Sequence, residues 1–215
     1  PVFWLKFVDI EPKKFSLYYD HISNGLFWFL HHYLFPTLTK PTFNEEQEKA
    51  WQAYDYVNQQ FAQEVAKLTS TEKTPLIMIH DYHFYLLPGY LRSLKPEAVI
   101  FQFLHTPWCA PDYLRLLPRH IRQAILRSLL ANDLIGMHSW RYVRNFLNCV
   151  QEFLNYQVDF EHNLVLNARQ SKVKAYPISI SISDLMFYSQ AEDVLAYKKQ
   201  LQEEKGDLKL IVRID

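Results

Sequence analysis

The chain has 215 residues, 49% hydrophobic and 21% charged, the composition of a globular protein with a sizeable core. Its 23 Lys and Arg balance its 23 Asp and Glu, so charge points to neither a nucleic acid nor a membrane surface. Apolar runs such as Gly25-Leu26-Phe27-Trp28-Phe29-Leu30 fall far short of the ~18 residues that a spanning helix needs.

No basic stretch followed by a small-residue cleavage site opens the chain. Cys109 and Cys149 lack CxxC spacing and read as buried, reduced thiols of a cytoplasmic protein. The four glycines, at 25, 89, 136 and 206, are too scattered for a GxGxxG or Walker loop, so no phosphate cradle of that type is expected. Aromatics reach 16%, enough to fill a core and to supply stacking platforms for a sugar.

In chain order, Pro12 to about Phe35 is apolar and helical, with a break or kink expected at Ser23-Asn24-Gly25 and Asn24 capping the segment that carries Trp28. Asn44-Glu45-Glu46-Gln47 has capping-box spacing and opens a helix to about Leu68, with Trp51, Tyr54, Asn58 and Phe61 at helical steps. Pro75 to Ile79 is a short buried strand ending in His80-Asp81. Phe84 to Leu94 is helical, Ala98 to Leu104 a second strand, Pro111 to Leu130 helical, Asp133 to Met137 a third strand, and Trp140 to Leu154 a helix. Weaker strands follow at 164–166 and 172–176. Ser183-Asp184 is placed to cap a helix to about Glu204, and Leu208 to Ile214 reads as a last strand.

The alternation predicts an α/β fold, a Rossmann-like parallel sheet flanked by helices, whose crevice lies past the strands' carboxyl ends. His80-Asp81, His105 and His138 each end one of three consecutive strands, so all three would face that crevice. His80, Asp81 and His83 are metal-ligand types, but Asp81 and His83, two residues apart, would diverge. His21, His31, His120 and His162 read as surface or capping residues.

The chain resembles glycosyltransferase family 20, the trehalose-6-phosphate synthases and their relatives, through a long ordered set of short pieces. These are Tyr18-Tyr19 with Ser23-Asn24 and Trp28, His32-Tyr33, Ala50-Trp51 with Ala53-Tyr54 and Asn58, and His80-Asp81-Tyr82-His83. Phe103-Leu104-His105-Thr106-Pro107, Leu117-Pro118, Asp133-Leu134-Ile135-Gly136 with His138, and Tyr176-Pro177-Ile178 complete it. Phe29 and Ser179 stand where the family commonly has Pro and Gly.

The resemblance implies a GT-B fold, with residues 1–207 forming most of the N-terminal, acceptor-side domain and 208–215 entering a C-terminal nucleotide-sugar-binding domain. The family's first strand, its glycine-rich loop and its donor-phosphate Arg and Lys would then lie outside the chain. By matching position it implies Tyr19, Trp28, Asp81 and Tyr82 as acceptor-binding residues and His105 and His138 as donor-binding residues. Asp81 and His105 would be the catalytic pair, with no metal and no cofactor. A carboxylate suits sugar hydroxyls because each oxygen accepts strong hydrogen bonds.

The implied reaction moves glucose, with retention, from a nucleotide-glucose, UDP-glucose first among them, to glucose 6-phosphate. A double displacement would need two carboxylates ~5 Å apart. Asp81 has no such companion at the strand ends, since Asp112 sits in the next helix's first turn. That agrees with the family's proposed same-face mechanism. A glucosylglycerol-phosphate synthase using glycerol 3-phosphate and a non-catalytic sugar-phosphate sensor are the alternative readings, and a homo-oligomer is left open.

Overall fold

A computed structural model describes residues 3–35 and 43–213. They divide into two compact units, residues 1–177 and 178–215.

The larger unit begins with a continuous helical run: α1 (Pro12–Ser16), a π-helical stretch (Leu17–Phe27) and α2 (Trp28–His31). Then follow α3 (Glu45–Leu68), β1 (Leu76–His80), a 3-10 turn (Tyr82–Phe84), α4 (Leu87–Leu94), β2 (Val99–Leu104), α5 (Pro111–Leu114) and α6 (Arg119–Leu129). β3 (Leu134–Met137), α7 (Trp140–Leu154), β4 (Val158–Asp159), β5 (Leu164–Val165) and β6 (Ser171–Ala175) complete it. α3 is capped by Asn44, whose side chain accepts from the Gln47 N–H, while Gln47 Oε1 finds no partner among the described residues, so half of the expected capping box is seen.

The sheet runs β1-β2-β3-β6-β5-β4, with parallel pairing through its first four strands. The parallel core matches expectation. At the β6 side it continues as an antiparallel β4-β5 hairpin, and β4 is too short to have shown an alternating pattern. The covered face is a lattice of apolar rows: Ile77 beside Ile100, Leu104 beside Met137 and Ala175, and Ile135 beside Val173. Full burial of each such Ile or Leu contributes roughly 1.5–3 kcal/mol. Two polar residues interrupt the lattice: Gln102, between Ile79 and Ile135, and Ser171, beside Val165 at the start of β6.

In the smaller unit, α8 (Ile182–Tyr188) and α9 (Glu192–Lys205) replace the single helix expected from Ser183. Ser181 caps α8 by accepting from the Asp184 N–H, and the chain turns between Ser189 and Ala191. The strand expected over 208–214 does not form across 208–213, and Ile214 lies outside the described residues. Its residues have the right composition, but a strand exists only on a ladder, and no described strand pairs with them.

Candidate active site

β1 ends at His80, and the next residue takes an unusual backbone conformation. Asp81 has φ 64° and ψ −173°, a region that glycine alone occupies freely and that costs another residue about 1–3 kcal/mol. Its N–H donates to the Phe103 carbonyl at 2.8 Å, continuing the β1–β2 ladder by one bond. Its Oδ1 accepts from the Thr106 hydroxyl at 3.2 Å and more weakly from the Thr106 N–H at 3.4 Å. Oδ2 accepts no hydrogen bond among the described residues, so one carboxylate oxygen is aimed and the other is available to a ligand.

The 3-10 turn after Asp81 is held from α3. The buried Tyr54 hydroxyl donates to the Tyr82 carbonyl at 2.6 Å and accepts from the Tyr85 N–H at 2.8 Å. Asn58, one turn along, donates to the His83 carbonyl and accepts from the Leu86 N–H. Tyr82 lies beside Asp81; burial first, then the Asp81 carboxylate, pushes its hydroxyl pKa up to about 12, so it remains a neutral donor.

The helical run brings Tyr19 to the same place. The rings of Phe15, Tyr19, His83 and Tyr82 form a stack, with successive centroids 5.4, 5.4 and 4.2 Å apart. The Tyr82 hydroxyl also donates to Asn24 Oδ1 at 2.8 Å, tying the turn to the π-helical stretch. His83 is half-buried and kept toward its neutral form by desolvation, against the pull of Asp81.

The interruption expected at residues 23–25 is not a break, and Asn24 caps nothing. The Trp28 N–H donates to Ser23 O, five residues back, and the Ser23 hydroxyl donates to the Tyr18 carbonyl at 2.9 Å. Gly25 fits because a Cβ there would stand 2.7 Å from the Asp20 carbonyl oxygen. Tyr19 and Trp28 are nine residues apart, and α-helical pitch would set them on opposite sides. The π pitch of roughly 4.4 residues per turn makes nine residues about two full turns. The burial pattern follows that wider pitch, with Tyr18, then Ile22 and Ser23, then Leu26 and Phe27 inside, and Tyr19 and Trp28 outside. The Trp28 ring packs on Phe29 and His32, and among the described residues it makes no ring contact with Tyr19.

His105 and His138 belong to a second cluster. Parallel register sets His80, Phe103 and Gly136 in one row, and His105 and His138 each stand two residues along from that row on the same face. His80 Nδ1 and His105 Nε2 are 3.0 Å apart and share one hydrogen, and the His105 and His138 rings are 5.6 Å apart. The Phe103 ring packs on both, 4.8 Å from His105 and 4.9 Å from His138. Gly136 leaves room for it, since a Cβ would stand 2.7 Å from that ring. His138 Nδ1 is buried with no partner among the described residues. Two groups of expected residues therefore flank the β1 and β2 ends: Asp81, Tyr82 and Tyr19 in one, His105 and His138 in the other.

The family profile of glycosyltransferase family 20 matches residues 3–215. The chain belongs to glycosyltransferase family 20. It is 36% identical over 206 residues to the UDP-forming alpha,alpha-trehalose-phosphate synthase of Pichia angusta, covering 93% of this chain and 41% of that protein. The solved N-terminal domain of Candida albicans trehalose-6-phosphate phosphatase superposes with a TM-score of 0.74 at 25% identity, covering 95% of this chain and 42% of the other. A UDP-forming alpha,alpha-trehalose-phosphate synthase from Burkholderia xenovorans in complex with glucose-6-phosphate gives 0.72 at 24% identity, covering 89% and 42%. The chain thus spans about two fifths of the length of these relatives. Its α/β sheet and helices are those of a family 20 GT-B N-terminal domain.

Within this family 20 domain, one histidine departs from expectation. His31 is not a surface or capping residue but almost wholly buried, against Tyr85 and Trp108, with Nε2 bonded to the Tyr85 hydroxyl at 2.8 Å. Burial lowers its pKa to about 3. The cysteines are free and buried as expected, and burial raises both thiols, Cys149 to about 12. The contacts of Gln102, Asn24, His83 and the Tyr54–Asn58 pair around the turn after β1 are not foreseen from the sequence. A signal existed for two of these: Gln102 is polar inside Ile100-Phe101-Gln102-Phe103-Leu104, and Tyr54 and Asn58 are polar at i, i+4 on a buried helix face. Among the described residues no group of three or more His, Cys, Asp or Glu is arranged to hold a metal ion, and no helix is long and apolar enough to cross a membrane.

Proposed function

We propose that this chain is the acceptor-side part of a retaining glycosyltransferase that moves glucose from UDP-glucose to glucose 6-phosphate, giving trehalose 6-phosphate. The observation that carries the reading is Asp81: a carboxylate at the end of β1, fixed through Oδ1 by Thr106 and open at Oδ2, beside the polar tip of Tyr82. Family membership and the UDP-forming, glucose-6-phosphate-binding relatives supply the substrate classes.

On this reading Asp81 Oδ2 accepts from an acceptor hydroxyl, Tyr82 and Tyr19 wall the sugar, and Trp28 closes the far end of the same helical stripe. His105 and His138 face the donor glucose, with His105 near the reacting carbon. Asp112 lies in the first turn of α5 and not at a strand end, so among the described residues Asp81 is the one carboxylate at the carboxyl ends of β1, β2 and β3, and no pair for a double displacement is offered there. Retention then proceeds on one face: the bond to the donor phosphate breaks, the acceptor oxygen bonds the same face of the anomeric carbon, and its proton passes to the departing phosphate. The chain's own contribution is positioning and charge stabilisation. Residues 1–207 are assigned to the acceptor-side domain and the segment from 208 to the nucleotide-sugar domain, and the reduced thiols fit a cytoplasmic enzyme.

The test is product analysis with the full-length protein. Incubation with UDP-glucose and glucose 6-phosphate should yield an α,α-linked disaccharide phosphate by NMR. Transfer only to glycerol 3-phosphate, or to no acceptor, would overturn the assignment.

A further inference from the structure

Midway along β2 the apolar lattice of the sheet's covered face is interrupted by a long amide side chain that has no reason to be polar unless something there needs a donor. Gln102 is fully buried in β2, flanked across the sheet by Ile79 and Ile135. An amide buried without partners is strongly unfavourable, so its bonds identify its task. Nε2 donates to the Asp81 carbonyl at 3.0 Å and to the Phe84 carbonyl at 3.4 Å, the two ends of the turn that follows β1. Oε1 accepts from Asn132 Nδ2 at 3.3 Å, and that amide, also fully buried, donates as well to the Leu129 carbonyl at 2.9 Å. Two carbonyls on one side and an amide N–H on the other leave a single orientation of Gln102 that satisfies every bond.

The second observation is the backbone of Asp81. At φ 64° and ψ −173° it rests in a region that persists only where surroundings over-determine it. The turn's own bond to the Asp81 carbonyl, from the Phe84 N–H, is long at 3.5 Å, so Gln102 is that carbonyl's stronger partner. Holding the carbonyl inward fixes the peptide plane and hence the direction in which the Asp81 side chain leaves the chain.

We propose that Gln102, braced by Asn132, is a positioning residue: a buried amide clamp that holds Asp81 in its strained conformation and so aims its carboxylate at the acceptor. The aiming part rests on the acceptor-site reading of Asp81 given above; the clamping part does not. Thr106 fixes the carboxylate from the crevice side, and the amide pair fixes the backbone from the core side.

The experiment uses the full-length protein and three variants. Gln102→Met keeps the volume and removes the donor. Asn132→Leu keeps the donor and removes its brace. Asp81→Asn is the reference for the acceptor reading. In Gln102→Met, amide hydrogen exchange over residues 81–84 should quicken and the KM for glucose 6-phosphate should rise about 10-fold, with the KM for UDP-glucose unchanged. Asn132→Leu should shift both in the same direction by less, and it decides the matter if Gln102→Met does not fold. A role in folding alone would not separate acceptor from donor KM. Unchanged exchange over 81–84 in both amide variants overturns the clamp. Faster exchange with an unchanged acceptor KM, while Asp81→Asn raises that KM, overturns the positioning role. An Asp81→Asn enzyme with an unchanged acceptor KM overturns the acceptor reading and the aiming with it, and the exchange data still report whether Gln102 holds the turn.

Discussion

The sheet ends and the helical arm of the larger unit meet at the turn after Asp81, and they reach it by different physics. At the sheet, parallel register delivers His80, His105 and His138 to one edge, and each histidine's place follows from counting residues along a strand. In the arm, Tyr19 and Trp28 share a side only because the helix between them widens to π pitch, a change that no strand count or 100° wheel reveals. Register is robust because a one-residue slip would turn a whole apolar face to water. Pitch is a local choice held by a few contacts: Gly25 over Asp20, Ser23 on Tyr18, and Asn24 on Tyr82.

The largest expected effect falls where the two regions meet. Asp81→Ala in the full-length protein should lower transfer to glucose 6-phosphate by roughly 100-fold or more, since it leaves a sugar hydroxyl without a charged partner. Asp81→Gly should lose activity equally yet melt higher, because glycine occupies the same backbone angles without strain, a gain of about 1 kcal/mol or more. Thermal unfolding read beside activity separates the two effects. A Gly variant that is less stable than Asp81→Ala, which loses the same Thr106 bonds, would show that the backbone there is not strained.

Next comes the arm. Gly25→Ala adds a Cβ 2.7 Å from the backbone oxygen of Asp20, which cannot step aside, and alanine favours α pitch by about 1 kcal/mol. The arm should tighten toward α geometry, Trp28 should rotate away from the Tyr19 side, and the acceptor KM should rise about 10-fold with the donor KM unaffected. Equal losses for donor and acceptor would mean that arm and sheet ends are not independent.

A smaller effect comes from His31, where the arm is sewn to the core. Its folded pKa is lowered to about 3, so below its ordinary value of 6.5 the unfolded chain binds a proton that the folded chain does not. That contribution is fully present above pH 6.5 and is lost as pH falls, amounting to ~2 kcal/mol at pH 5. Denaturant unfolding at pH 7.5 and 5 should show the drop in wild type and a shallower one in His31→Gln. Identical slopes would place the acid sensitivity elsewhere.

Much of this architecture is legible in the sequence. Strands with continuous apolar runs, the Asn44 cap and the Trp140–Leu154 helix fall where composition and period put them, because burial on one face enforces both. What escaped was set by interactions between distant segments. Ser23-Asn24-Gly25 reads as a breaker, since each residue is poor in an α-helix, yet those side chains are what admit the π pitch. His31 is polar in sequence and buried in fact, its hydrogen bond coming from Tyr85, 54 residues away. The segment from 208 has strand composition but no described neighbour to pair with.

The most direct measurement is a crystal structure of the full-length protein with glucose 6-phosphate bound. The account places the sugar against Tyr19, Tyr82 and Trp28, with one hydroxyl within ~3 Å of Asp81 Oδ2 and with His105 and His138 left to the donor. Glucose 6-phosphate lying instead against His105 and His138, with Asp81 Oδ2 turned from it, would contradict the account at its centre.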